Sequence, residues 1–126
     1  MQDQPTPSEI LSVAAAFLRT PVKPESAGHA AFIAKVTSNA LDIARRELDL
    51  APAEDAAELV RLKALLNLDG TLLDLNRALS ERLAQGVMDL RTPGLAEHLW
   101  ATTMAKLAVD QPNYSSYRAE LAARAT

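Results

Sequence analysis

Leu72, Leu75, Leu79 and Leu83 follow one another at intervals of three, four and four residues. Those intervals match the 3.6-residue turn, so the segment reads as a helix with one leucine edge. Leu59, Leu62 and Leu66 repeat the pattern just upstream, and Asn67-Leu68-Asp69-Gly70 between the two sets is a turn. Helices joined by so short a loop pack as antiparallel neighbours, leucine edge to leucine edge. Composition extends the argument along the chain. Alanine (24) and leucine (20) dominate its 126 residues, whereas valine and isoleucine together number 9. Pleated surfaces select β-branched side chains, and tight-turned sheets need more glycine than the four present, so the expected class is all-α.

Caps and prolines divide the chain. Thr6-Pro7-Ser8-Glu9 reads as a capping box with proline at the first helical position, and Ile10, Ala14 and Phe17 form the stripe of the helix it opens. Thr20-Pro21-Val22-Lys23-Pro24 ends that helix. A second helix is expected from Ser26 to about Leu48, with Phe32, Ile33, Val36, Ala40 and Ile43 on one buried face and Asp42 reaching Arg45 and Arg46. Pro52 should open a third helix to about Leu66. Thr71 and Asp74 cap a fourth that runs to Gln85, with Gly86 at its C′ position. Thr92-Pro93 repeats the cap-plus-proline start for a fifth, ending near Asp110, and Gln111-Pro112-Asn113 separates it from a short sixth over residues 115–123. The expectation is therefore one domain, residues 1–126, built as a compact bundle of five long helices plus a short C-terminal one.

Little in this chain suggests chemistry. Zero cysteine excludes disulfides, thiolate–zinc sites and a cysteine nucleophile. A net charge of −3 argues against a nucleic-acid partner. No basic-then-apolar leader and no apolar run near the ~20 residues that span a bilayer is present, so a cytoplasmic location is expected and a membrane partner is not. No phosphate-binding glycine loop, nucleophile elbow or paired-histidine metal motif occurs, so neither catalytic residues nor a metal or cofactor is expected. The carboxylates Asp42, Glu47, Asp49, Glu54, Asp55 and Glu58 read as solvated helix faces and linker ends.

A few polar and aromatic residues stand out. His29, in line with Val36 and Ile43, is either a pocket group or a histidine half-buried at a helix end; His98 projects opposite Leu107 and should face solvent. Asn76 lies inside a leucine stripe and Asn39 borders an apolar one, so each amide lines a polar pocket or holds a helix end by hydrogen bonds. Trp100, Met104 and Leu107 share a side of the fifth helix, with Lys106 and Asp110 at its border. Tyr114 and Tyr117 follow around the next turn. Tryptophan and tyrosine recur as interface anchors, and they also pack bundle ends.

Three blocks resemble a known family: Met1-Gln2-Asp3-Gln4-Pro5-Thr6, the helical segment from Asn39 to Leu48, and above all Ala105-Lys106-Leu107-Ala108-Val109-Asp110-Gln111-Pro112-Asn113-Tyr114-Ser115-Ser116-Tyr117. They are similar to a bacterial family of small helical domains of unknown function, the LvaB-type accessory proteins, encoded beside aminoglycoside-phosphotransferase-like kinases and acyl-CoA dehydrogenases. Val109 and Gln111 stand where the family would have isoleucine and asparagine. The resemblance implies a non-catalytic companion of a kinase acting on hydroxyacyl-CoA in hydroxy-acid breakdown, with the acyl-CoA dehydrogenase a possible second partner. Partner contacts are then expected at Trp100, Lys106, Asp110, Tyr114 and Tyr117, with His29 and Asn39 as weaker additions. The competing readings are a helical bundle that binds an acyl or CoA-like molecule through Asn76, Asn39 and His29, and a homo-oligomeric scaffold.

Overall fold

A computed structural model describes residues 4–19 and 27–125. Among them are five helices and no strand: α1 (Pro7–Arg19), α2 (Ala27–Leu66), α3 (Leu72–Ala84), α4 (Leu95–Asp110) and α5 (Ser115–Arg124). The connector expected at Thr20 to Pro24, the helix start expected at Ser26 and the first three residues lie outside the described residues. No described helix is long and apolar enough to cross a membrane.

The capping box forms as expected. The Thr6 amide and hydroxyl both donate to Glu9 Oε2 (2.7 and 2.8 Å), while the Glu9 amide donates to Thr6 Oγ1 (3.3 Å). These donors hold the Glu9 carboxyl below the usual carboxylate range, the backbone amide contributing most. At α3, the Asp74 amide donates to Thr71 Oγ1 (3.2 Å) and the Thr71 hydroxyl donates to the Asp74 carboxylate (2.6 Å). The other end of α3 closes through Gly86 at φ +70°: the Val87 amide reaches the Arg82 carbonyl and the Gly86 amide the Leu83 carbonyl, the two bonds of a Schellman motif.

Two helix boundaries differ from the sequence expectation. The second and third expected helices are one, α2, with Pro52 inside it. Pro52 cannot donate to the Leu48 carbonyl, yet nothing around it offers a stop. Residues 49–53 contain no glycine, and the carboxylate of Asp49, the nearest side chain able to cap a new helix, is held by Arg45 Nη1 on the preceding turn (3.1 Å). Arg45 also lies 3.8 Å from Asp42, as the i,i+3 spacing suggests. The second difference is at α4. Thr92 does not cap it; its hydroxyl instead accepts the Asp89 amide (3.1 Å) and its carbonyl the Leu95 amide (3.1 Å). The N-cap is Gly94, at φ +84°, a conformation glycine reaches without the Cβ clash.

The chain divides into two compact units at Ala51–Pro52. In the first, α1 and the start of α2 face each other across an apolar groove of about 450 Å³. Ile10, Val13, Phe17, Phe32, Ile33 and Val36 are among the residues that line it. The face expected to be buried on this part of α2 is therefore open: Phe32 is 65% and Val36 50% exposed. Among the described residues, the 13-residue α1 is the helix that lines the groove opposite that face, and it covers the face incompletely.

The second unit holds the main core. Leu62, Leu66, Leu75, Leu79, Met88 and Leu95 form a buried cluster, flanked by Leu59, Leu65, Leu72 and Ala78. The two leucine edges thus meet, except that Leu83 at the end of its edge is exposed and outside the cluster, and α4 adds Leu95. Arg82 Nη1 donates to the Leu66 carbonyl (3.2 Å), satisfying an acceptor freed at the end of α2, and Asn67 at φ +51° turns the chain away.

Replacing Pro52 with alanine restores one backbone donor inside α2. The variant should keep its helicity by circular dichroism and gain about 1–3 kcal/mol of stability in urea unfolding. A loss of helicity or of stability would mean that α2 is interrupted at this point.

Candidate functional site

Polar side chains converge beside the leucine core of the second unit. On α2, Glu58 lies one turn ahead of buried Leu62 and Arg61 one turn ahead of Leu65, which flanks the core, so a carboxylate and a guanidinium border the leucine cluster. Glu58 is only 6% exposed. From α3, Asn76 Nδ2 donates to Glu58 Oε1 (2.8 Å) and to the Leu72 carbonyl (3.2 Å). From α4 comes His98, 3% exposed. Four residues from three helices thus make a polar layer at the edge of the apolar core.

The environment of His98 sets its protonation. Burial pushes its pKa below the ordinary 6.5; the Glu58 charge pulls it back up and the Arg61 charge lowers it further. Its Nδ1 is buried with no hydrogen-bond partner, and so is Arg61 Nε. Both residues line a pocket of about 300 Å³ together with Ala64, Leu65, Pro93, Gly94 and Glu97.

The sequence expectation for His98 is overturned. The buried face of α4 runs Leu95, His98, Thr102, Ala105, Val109, at alternating intervals of three and four; Thr102 is half-buried and the other four are buried. The face bearing Trp100, Met104 and Leu107 is larger and more apolar, yet Trp100 remains 47% exposed. Carboxylates need a correction too. Asp42 and Asp49 are exposed, but Glu47 and Glu58 are buried on the inner face of α2, while Glu54 and Asp55 are half-buried.

The expected site residues fall in different places. In the second unit, Trp100 is exposed in the first half of α4, while Asp110 and Tyr114 are exposed, and Lys106 and Tyr117 half-buried, around the end of α4 and the start of α5. The turn between those helices is closed by the Tyr114 amide, which donates to the Gln111 carbonyl (3.0 Å). His29 and Asn39 lie exposed on α2 in the first unit, and neither lines the apolar groove there. Asn76 is the one amide of the expected set that enters a polar layer; its partner, Glu58, was not singled out from the carboxylates. The available signal was Glu58 standing four residues before Leu62 and seven before Leu65, on the leucine face itself.

Because the folded state keeps the His98 ring neutral, the unfolded chain binds the extra proton as pH falls below 6.5. The stabilising difference is complete above that value and is lost as pH drops through the depressed pKa. Urea midpoints between pH 7.5 and 5 should therefore decline for the native chain and decline less for His98→Gln. Parallel pH profiles would mean that the His98 ring titrates in the folded protein as it does in water.

Residues 24–114 match the model of a family described as a domain of unknown function, DUF6285. The match takes in α2, α3, α4 and the turn that follows, including the central resemblance block and most of the terminal one. The chain belongs to this family. No curated protein and no solved structure matches it.

Proposed function

We propose that this member of the DUF6285 family is a non-catalytic accessory subunit that binds and supports an aminoglycoside-phosphotransferase-like kinase acting on hydroxyacyl-CoA. The observation that carries a binding role is a pair of exposed aromatics, Trp100 on α4 and Tyr114 at the turn after it, each with about half its area in solvent, with Lys106 and Asp110 supplying charge along the last turn of α4. Aromatic anchors with a charged border are what protein–protein contacts concentrate in a small area. The choice of a kinase comes from the resemblance of residues 105–117 to accessory proteins encoded beside one. An acyl-CoA dehydrogenase encoded nearby is a second candidate partner.

A subunit of this kind acts by binding only the active arrangement of its partner, shifting the population toward it. Such a contact should bury at least ~1,000 Å² in total.

The test is co-expression with the kinase, co-purification, and ATP consumption with a hydroxyacyl-CoA in the presence and absence of this chain. The native chain should co-purify and raise turnover. Lys106→Ala and Tyr117→Ala, with helicity intact, should lose that stimulation. Full stimulation by both variants would remove the α4–α5 surface from the reading, and no complex at all would remove the kinase.

The apolar groove of the first unit favours a second reading, in which the chain binds the acyl part of a ligand. A groove of about 450 Å³ falls within the range of small-molecule sites, and its lining is apolar. Thermal unfolding against a panel of acyl-CoAs decides it: a ligand at 100 times its Kd should add about 2.7 kcal/mol, and Phe32→Ser should abolish the gain. A flat panel would reject this reading.

A further inference from the structure

We propose that the pocket at the start of α4 binds a small oxyanion of the phosphate class, held by Arg61, His98 and the first amides of the helix. The proposal concerns the second unit alone and stands independently of the kinase reading.

Three features point to an anion at one place. The first is the helix terminus. α4 begins at Gly94, which has no side chain with which to cap the free amides of the first turn. Aligned peptide dipoles leave the equivalent of about half a positive charge there, and the amide hydrogens point outward along the axis. The Leu95 amide is taken by the Thr92 carbonyl and the His98 amide by the Gly94 carbonyl, which leaves the amides between them for a ligand. Gly94 has a further effect: without a Cβ, the pocket it lines stays open to a close approach.

The second feature is His98. Its side chain is almost wholly buried and lines this pocket, yet its Nδ1 has no partner. A buried ring nitrogen left unsatisfied is costly, and in native structures such an atom usually marks a missing water, ion or ligand. A neutral imidazole with its proton on Nδ1 donates one hydrogen bond to an anion at no cost in charge burial.

The third is Arg61. It lines the same pocket, and its Nε is buried with no acceptor. A guanidinium presents its donors in a planar fork that matches a tetrahedral or planar oxyanion, and it remains charged at any pH the protein experiences. Two carboxylates bear on the site. Glu58 acts on His98 electrostatically and accepts the Asn76 amide; Glu97, exposed on α4, lines the pocket rim and repels an anion. Their presence makes the site a modest one, selective for a ligand that engages all three donors. Phosphate offers enough acceptor oxygens to do so, whereas a monocarboxylate offers two.

The test uses the full chain and inorganic phosphate as the probe, at constant ionic strength, followed by NMR of backbone amides and the histidine rings. Phosphate should produce saturable shifts of the Ala96 and Glu97 amides and of the His98 ring, while the His29 ring stays still. Arg61→Gln should raise Kd at least tenfold. Glu97→Gln, at an exposed position where folding is not at risk, should lower Kd several-fold. A phosphate monoester and acetate form two further arms: tighter binding of the monoester would identify a phosphorylated metabolite as the ligand source, and equal binding the free ion. Shifts that do not saturate, an unchanged Kd in Arg61→Gln, or acetate binding as well as phosphate would each overturn the proposal.

Discussion

Leucine-on-leucine packing between the end of α2 and α3 is the contact on which the second unit depends. Leu62 and Leu66 meet Leu75 and Leu79, and all four are nearly sealed from water. Burying a leucine side chain stabilises by about 1.5–3 kcal/mol, so four of them make a seam that holds the two helices together. It also fixes where polar groups end up. Once α2 and α3 are locked in this register, Glu58 and Asn76, each one turn along from a buried leucine, have to face the interior together. Their hydrogen bond satisfies the amide and gives the carboxylate a donor, which is the condition for keeping either group inside.

The fold was legible in the sequence where short-range chemistry decides it. Thr6 with Glu9, Thr71 with Asp74, and Gly86 each act within a few residues of themselves, and each forms the bond its spacing promised. Pro52 was misleading because a proline at a first helical turn and a proline within a continuing helix look alike locally. The difference lay in what surrounds it, namely no glycine and an Asp49 engaged with the turn before. α4 misled in another way. Its largest apolar residues lie on one side and its buried seam on another, since Leu95, Ala105 and Val109 are joined there by His98 and Thr102. Ranking helix faces by hydrophobicity selects Trp100, Met104 and Leu107, whereas the packing against α2 and α3 buries the face that starts at Leu95.

The site was less legible for the same reason. Glu58, Arg61 and His98 are ordinary on their own helices, and their association depends on the packing of three helices, which no local pattern encodes. Asn76 was visible because an amide inside a leucine stripe is out of place, and the structure gives it two acceptors. The amide reading that turned out to describe it is the structural one, a group tying one helix to another. Asn39 and His29 show the converse: bordering an apolar face meant little where that face was itself left half open.

Each unit leaves demands on its surroundings unmet. In the second, a leucine core coexists with exposed apolar side chains such as Val60, Leu73, Val87 and Leu90, and with unpaired polar groups: a ring nitrogen, a guanidinium nitrogen and a helix terminus without a capping side chain. In the first, a capping box closes the start of α1, and the unmet demand is apolar, with Val13, Leu18 and Phe32 each about two-thirds exposed. Exposed hydrocarbon asks for another nonpolar surface, at roughly 25 cal/mol per Å² covered, whereas unpaired donors ask for charge.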